Sequence, residues 1–393
     1  MATRVIEHDL SMAESPRAWR WLTPAMVAAV VGTVALAVPA VRDLFQLEGL
    51  RWLYVLLFAF LGSVALTPVM VQISHHWNLV DIPTERKIHV QPTPRLGGVA
   101  VYAGFVGSVL MNSILPDWMT AIVLAGSLLL IVGVIDDIRE LPASSKLVAQ
   151  LVAAGIVIAS GKVLTLFPAG GAGGIGEAAN VLLTLLWIVG ITNAFNFFDG
   201  MDGLASGLAI LMAGFMGVVA FETDQPGVGW LAMAVIGACA GFFPYNFRGA
   251  QPAKIFLGDG GSTFLGFTLA CLAVKGNWAN HSPMVSFSNP LLIFGVLIYD
   301  MIHITVERVV TGKVQSVKEW LDYVGKDHLH HRLERALGSR QASVAMIFLL
   351  TVCLGLSAMA LRHAGLQEAV LLLGQAGLIV GMVTILELSG RRR

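Results

Sequence analysis

Charged side chains are scarce in this sequence. Of its 393 residues, 25 are Lys or Arg and 25 are Asp or Glu, so 13% of the chain is charged, whereas soluble domains carry about 25%. Hydrophobic residues make up 56%, and the mean hydropathy is +0.76. The formal net charge is zero, so nothing indicates a nucleic-acid partner. The composition argues against a soluble domain and indicates a membrane protein.

Cysteine is rare, and other common signals are missing. Cys239, Cys271 and Cys353 stand singly within apolar runs, which favours packing roles over a disulfide framework or a metal cage. The first apolar stretch follows Arg17 and Arg20 and lacks a small-residue cleavage site, so we predict a retained anchor. No internal repeat is evident, so the inverted-repeat plan of many transporters has no support.

The chain has long apolar runs instead. A bilayer core needs about 20 mostly apolar residues per helix, and two of the candidate runs fall short of this length. The sequence predicts an all-α polytopic fold with about 11–12 transmembrane helices. The twelve candidate spans lie near 24–41, 52–74, 96–115, 119–135, 147–160, 179–197, 204–221, 228–245, 261–275, 289–307, 342–361 and 368–387.

The basic residues predict the orientation. With a cytoplasmic N-terminus and twelve crossings, about 20 of the Lys and Arg residues lie inside, which satisfies the positive-inside rule. The polar clusters then also fall on the cytoplasmic side, which predicts a single site at the inner surface of the membrane. These clusters are 81–98, 136–146, 193–203, 254–262 and 308–335.

One cluster begins where an apolar helix ends in Asp136 and Asp137, with Lys146 following. Carboxylates at a bilayer boundary are costly, and adjacent acids repel each other, which suits a proton acceptor or a metal ligand. A solvated helix end with Asp137 near Arg139 explains the pair equally well.

Another acidic cluster lies at the foot of the span 179–197. Its polar groups recur every third residue and then meet glycines, which permit a tight break near a ligand. Amide and carboxylate oxygens together suit a hard cation such as Mg²⁺. Turn formers at a helix end would explain one or two of these residues, but not four in register: Asn193, Asn196, Asp199 and Asp202.

The remaining clusters are suited to phosphate. The glycine-rich turn around Asp259 opens a helix and offers backbone N–H groups to a phosphate, although Asp259 alone could be a helix cap. Segment 327–333 brings histidines and an arginine into a pyrophosphate-sized cationic patch, and a solvated amphipathic helix also describes it. No thiol lies nearby, which disfavours a zinc site. Segment 81–98 could hold a lipid phosphate, but taken alone it is better explained as an ordinary basic loop.

Together the clusters resemble the polyprenyl-phosphate N-acetylhexosamine-1-phosphate transferase family, in the bacterial UDP-GlcNAc:undecaprenyl-phosphate branch. The strings NAFNFFDGMDGL, FLGDGGS and HLHHRL carry the resemblance, which covers about 81–333. It implies a transferase of the bacterial inner membrane that uses Mg²⁺, with Mn²⁺ as the alternative, on a polyprenyl phosphate lipid and UDP-N-acetylhexosamine. A homodimer is left open. The alternatives are a phospho-MurNAc-pentapeptide translocase and, more distantly, a secondary transporter.

The resemblance also implies residue roles. Asp259 would be the principal metal ligand, assisted by Asn196, while Asp136 would act on the lipid phosphate. Phe256 would stack on uracil and Asp202 would bind its edge. The implied catalytic residues are Asp136, Asp137, Asp199 and Asp259. The implied substrate-binding residues are Lys87, His89, Lys146, Asn193, Asn196, Asp202, Phe256, His328, His330, His331 and Arg332.

Two features depart from the family pattern. Members commonly have about eleven spans, so residues 1–48 are expected to form an N-terminal tail with an added helix before a transferase domain at 49–393. The segment 313–327 is longer than the usual link, which leaves the identity of the sugar open. A direct displacement is expected, with a covalent aspartyl intermediate as the competing mechanism.

Overall fold

The structure is a computed structural model that describes residues 23–82, 92–113, 115–168, 174–249, 251–278, 283–316, 319–320, 323, 325, 327–362 and 365–390. Across these ranges the chain is almost entirely helical, which confirms the all-α prediction. The helices are α1 (Pro24–Ala37), α2 (Pro39–Leu47), α3 (Arg51–His76), α4 (Gly97–Met111), α5 (Asp117–Ile138), α6 (Ala143–Ala159), α7 (Ile175–Phe197), α8 (Leu204–Glu222), α9 (Pro226–Asn246), α10 (Gly258–Lys275), α11 (Pro283–Ile293), α12 (Gly295–Val310), α13 (Leu329–Leu337), α14 (Arg340–Leu361) and α15 (Leu366–Gly390).

Every predicted span coincides with a helix or a bent pair of helices. Seven described helices are long and apolar enough to cross a membrane, and the pairs α1–α2 and α11–α12 raise this number to nine if each counts as one span. The other predicted spans coincide with α4, α6 and α10, which have 15, 17 and 18 residues. The chain is therefore a multi-pass membrane protein.

The predicted span 24–41 is not one straight helix. Val38 adopts an extended conformation between α1 and α2, and the two helices meet at 74°. Because a proline disfavours helical geometry in the residue before it, Pro39 explains the break. A similar bend of 78° separates α11 from α12 within the predicted span 289–307.

Helix α10 lies at the centre of the bundle and packs against α4, α5, α7, α8 and α9. Its N-terminal glycines permit two close contacts between backbones. A Cβ added to Gly98 of α4 would lie 2.3 Å from the Cα of Gly261, and one added to Gly133 of α5 would lie 2.4 Å from the Cα of Gly260. The contact between Gly133 and Gly260 brings the acidic end of α5 to the start of α10.

The Gly133→Ala substitution should therefore destabilise the protein by about 1–3 kcal/mol or more, because the added methyl overlaps backbone that cannot rotate away. The midpoint of thermal unfolding in detergent should fall. Gly155→Ala in α6 is the matched control, since a Cβ there meets nothing within 4 Å. Equal midpoints for the two variants would contradict this packing.

Strands β1 (Val80–Asp81) and β2 (Thr93–Pro94) pair antiparallel at the base of the segment between α3 and α4. Pro94 of β2 and Gly97 at the start of α4 also bind the chain just before α10. The Phe256 N–H donates to the Pro94 carbonyl at 2.8 Å, and the Gly97 N–H donates to the Phe256 carbonyl at 3.0 Å. These two hydrogen bonds hold the segment that precedes α10 against β2 and the start of α4. Lys87 and His89, predicted to bind the lipid phosphate, lie outside the described residues.

Candidate active site

Asp136, Lys146 and Asp259 meet where α5 ends and where α6 and α10 begin. Lys146 Nζ lies 2.8 Å from Asp136 Oδ2 and 3.7 Å from Asp259 Oδ2. The other oxygen of Asp136 accepts from the Leu141 N–H at 2.6 Å, in the turn between α5 and α6. Asp136 is buried, whereas the side chain of Asp259 is 42% exposed. The cluster therefore has a buried side, where Asp136 is held by its partners, and an open side, where the Asp259 carboxylate is exposed.

Asp137 binds the backbone at the start of α10. Its Oδ1 accepts from the Asp259 N–H at 3.1 Å and its Oδ2 from the Gly260 N–H at 3.3 Å. The first N–H groups of a helix have no partner within the helix, and a carboxylate there also complements the helix dipole. Asp137 therefore supports Asp259 by holding the turn that carries it.

Asp137→Asn should cost about 1–3 kcal/mol, because an amide cannot accept from both N–H groups and brings its own donor against one of them. The midpoint of thermal unfolding should fall. Asp43→Asn is the control, since Asp43 forms an exposed pair with its neighbour Arg42. A midpoint that stays at the wild-type value for Asp137→Asn would remove this role.

The foot of α7 joins the same cluster through two carboxamides. Asn196 Nδ2 donates to Asp259 Oδ1 at 3.3 Å and to Ser262 Oγ at 2.8 Å. One turn earlier, Asn193 and Gln150 of α6 exchange amide hydrogen bonds of 2.6 and 3.2 Å. The register predicted from the sequence therefore places both asparagines on the side of α7 that faces α6 and α10.

Asp199 and Asp202 follow in the turn between α7 and α8. Burial raises the pKa of Asp199 well above its usual value, and the negative charges of Asp259, Asp137 and Asp202 raise it further. Asp202 Oδ2 accepts from the Ala253 N–H at 3.1 Å, three residues before the half-buried Phe256. The turn thus lies close to the approach to α10.

The segment 327–333, called the histidine motif below, packs against the foot of α7. The ring centroids of His328 and Phe197 are 5.0 Å apart, and those of His330 and Phe198 are 5.8 Å apart. A Cβ on Gly200 would lie 2.4 Å from His330 Nε2, so this turn needs a glycine. The residues from all three motif strings therefore converge on one region.

His330 and Arg332 are more enclosed than the alternative of a solvated amphipathic helix would require. His330 is 1% exposed and Arg332 is 3% exposed. Burial lowers the pKa of His330 well below its usual value, and nearby His331, His328 and Arg332 lower it further. His330 is thereby favoured in its neutral form. His331 remains half-buried beside it, with ring centroids 4.2 Å apart.

Three residues that the sequence reasoning did not select hold this motif. Asp300 of α12 binds His328 and Arg332, and Arg332 also pairs with Glu387 of α15, with Nε and Oε2 3.3 Å apart. Arg308 pairs with Asp327 through two contacts of 2.8 Å. For Asp300 and Glu387 the signal was present in the sequence, because an ionisable residue within an apolar span is a functional candidate by default.

The donor set fits a hard divalent cation. Within the described ranges, no group of three His, Cys, Asp or Glu side chains is arranged to enclose a metal ion. Mg²⁺ is commonly held by one or two carboxylates together with substrate phosphates and water, so it needs no such group. Asp259 has an exposed carboxylate among mutually repelling acids. Asn196 turns its amino group to Asp259 and so orients it, and its role as a direct ligand stays a prediction.

Comparison with known proteins gives one matching family model, described as glycosyl transferase family 4, over residues 119–277. The chain is 32% identical to a probable undecaprenyl-phosphate N-acetylglucosaminyl 1-phosphate transferase of Bacillus subtilis, over 87% of this chain and 93% of that protein. It is 32% identical to a decaprenyl-phosphate N-acetylglucosaminephosphotransferase of Mycolicibacterium smegmatis, over 79% and 82%. A phospho-N-acetylmuramoyl-pentapeptide-transferase of Bacillus thuringiensis is also 32% identical, over 55% and 72%.

Proposed function

Because this chain belongs to glycosyl transferase family 4, among the polyprenyl-phosphate N-acetylhexosamine-1-phosphate transferases, we propose that it transfers N-acetylhexosamine 1-phosphate from a UDP-sugar to polyprenyl phosphate. GlcNAc 1-phosphate is the transferred group that its relatives' names favour. The observation that carries the proposal is the meeting of Asp136, Lys146, Asn196 and Asp259, from four different helices, at one acidic cluster.

In this reaction an oxygen of the lipid phosphate attacks the sugar-linked β-phosphorus. The bond from that phosphorus to the bridging oxygen breaks, UMP leaves with that oxygen, and the lipid gains a diphosphate-linked sugar. Phosphoryl transfer depends mainly on positioning and charge neutralisation. Lys146, held by Asp136, would bind the attacking phosphate, while the half-buried Phe256 and Asp202 would hold the uracil. We favour this direct displacement over a covalent aspartyl intermediate.

We further propose that Asp259 holds Mg²⁺, or Mn²⁺ in its place, with Asn196 as its neighbour. When bound, the ion neutralises charge on the diphosphate and on departing UMP. Asp137 fixes the backbone of Asp259, and Asn196 fixes one of its oxygens. Both contacts keep the carboxylate oriented toward the open side of the cluster.

The reaction is proposed to occur at the cytoplasmic face of a bacterial inner membrane. The distribution of Lys and Arg between the loops supports this orientation. The chemistry supports it as well, because the site must lie where a lipid phosphate and a water-soluble nucleotide can meet. Asp136 lies at the end of α5 and Asp259 at the start of α10, so both carboxylates are at helix ends, where a lipid phosphate and a nucleotide could meet.

One assay tests the proposal. Purified protein, polyprenyl phosphate and Mg²⁺ are incubated with UDP-GlcNAc, UDP-GalNAc or UDP-MurNAc-pentapeptide, and UMP release is measured. UMP release with a UDP-N-acetylhexosamine supports the proposal. Release with the pentapeptide donor alone would favour the translocase alternative, which the matched pentapeptide transferase represents over only 55% of this chain. Liposome uptake without UMP release would favour a transporter.

A further inference from the structure

Asp300 is a completely buried acid within an otherwise apolar stretch of α12, with 0% of its surface exposed. A buried charge is costly unless its partners compensate it. Among the residues that the structure describes, its hydrogen-bond partners are His328, Leu329 and Arg332 of the histidine motif. Oδ2 lies 2.7 Å from His328 Nδ1, while Oδ1 accepts from the Leu329 N–H at 2.7 Å and from Arg332 Nη2 at 3.1 Å.

This arrangement fixes the His328 ring. Because the Leu329 N–H and Arg332 both donate to it, we assign the Asp300 carboxylate as the acceptor and place the proton of this hydrogen bond on Nδ1. The two ring nitrogens point in different directions, and Nε2 is therefore the atom left for another partner. The ring packs beside Phe197 at the foot of α7, where Asn196 meets Asp259. The ring therefore packs on the residue that follows Asn196 in the chain, and the Asn196 side chain contacts Asp259.

Asp300 also fixes the start of α13. The Leu329 N–H is one of the unpaired donors of that helix, and Oδ1 satisfies it. Two turns further along α12, Arg308 binds Asp327, the residue before His328. Burial would raise the pKa of Asp327, but the Arg308 hydrogen bonds and charge outweigh it and lower that pKa. α12 thus holds the motif at two points.

We propose that Asp300 is a positioning residue for the transfer reaction, and that it orients His328 so that Nε2 faces the diphosphate of the UDP-sugar. The inference rests on the proposed function for its substrate, but the contact between Asp300 and His328 stands on its own geometry. Partners that orient a metal-bound histidine typically contribute 10–100-fold to affinity or activity, and we expect an effect of the same order for this substrate-binding histidine.

Asp300→Asn is a selective test. An amide oxygen at the Oδ1 position keeps the contacts to Leu329 and Arg332, while the amide N–H₂ replaces the acceptor that faces His328 Nδ1. The ring must then move its proton to Nε2 or turn away. We expect kcat/KM for the UDP-sugar to fall by about 10–100-fold, while KM for polyprenyl phosphate changes by less than about twofold.

A double-mutant cycle separates positioning from general damage. In a His328→Gln background, Asp300→Asn should lower activity by no more than about twofold, because the residue through which Asp300 acts is already gone. Glu222→Gln is the control. It alters an acid that pairs with Arg362 at the far end of α8, and activity should stay at the wild-type level. A full additional loss in the His328→Gln background, or an equal rise in KM for both substrates, would overturn the proposal.

A second measurement does not depend on turnover. In protein labelled with ¹⁵N-histidine, the His328 signal, assigned by its loss in His328→Gln, should show a protonated Nδ1 that becomes unprotonated in Asp300→Asn. An unprotonated Nδ1 in the wild type would overturn the positioning role. If the wild type released no UMP from any UDP-sugar, the proposed function would fail, and this signal would still decide whether Asp300 orients His328.

Discussion

Asp259→Asn should reduce UMP release by at least about 10²–10³-fold, the loss expected when a group that stabilises transition-state charge is removed. The side chain keeps its size, and an amide oxygen can still accept from Asn196 Nδ2, which lies 3.3 Å from Asp259 Oδ1. The protein should therefore fold and purify as the wild type does. Only the negative charge that faces the open side of the cluster is removed.

Asp224→Asn is the matched control for this variant. Asp224 lies just after α8, at the opposite end from Asp202, with a φ of +55°. Asparagine tolerates this left-handed conformation well, so activity and stability should both be unchanged. An Asp259→Asn enzyme with near wild-type activity at saturating Mg²⁺ would contradict the proposed role of Asp259.

Lys146→Met should lower kcat/KM for polyprenyl phosphate by about 10²-fold or more, since the lipid phosphate loses its proposed cationic partner. Methionine retains most of the aliphatic length of lysine, so the loss reports the ammonium group. Asp136 would lose the ion pair in which its Oδ2 lies 2.8 Å from Lys146 Nζ and would keep its contact to the Leu141 N–H.

Lys162→Met makes the same chemical change beyond the other end of α6, and that end lies about 20 Å from Lys146 along the helix axis at 1.5 Å per residue. It should leave the kinetics with both substrates unchanged. If Lys146→Met altered only KM for the UDP-sugar, Lys146 would be a ligand of the donor, and its assignment to the lipid phosphate would be wrong.

The positions of the helices could be predicted from the sequence because the lipid solvent imposes long apolar runs. Each predicted span coincides with a helix or a bent pair. The breaks were harder to predict, since Val38 lies within an apolar run and only Pro39 signals the interruption. The short helices α4, α6 and α10 also matched, although they do not fill a bilayer by length alone.

The composition of the acidic cluster was predictable, because polar groups at the ends of apolar helices are expensive and recur in register. Which of these polar groups pair with one another could not be predicted. That Asp137 would bind the backbone of Asp259, while its neighbour Asp136 pairs with Lys146, depends on the close approach of Gly133 to Gly260. Sequence spacing gives the residues of one helix face but not the neighbouring helix that this face meets.

The support behind the histidine motif was missed for a related reason. Asp300 lies within a predicted span, and Glu387 lies at the end of the last one, far from the motif strings in sequence. Both are buried against Arg332. Each is a charge within an apolar run, which should have marked it as a candidate, but its partner could be identified only from the packing of α12, α13 and α15.

The most direct test of the account follows the β-phosphate of the donor. UDP-GlcNAc labelled with ³²P at the β position is incubated with the purified protein and polyprenyl phosphate, and the lipid and nucleotide products are separated. If the chain transfers the sugar 1-phosphate, the label enters the lipid as a diphosphate-linked sugar while the released nucleotide is unlabelled UMP. Label that stays in released UDP would mean that the sugar alone is transferred, and the proposed phosphotransferase would be contradicted.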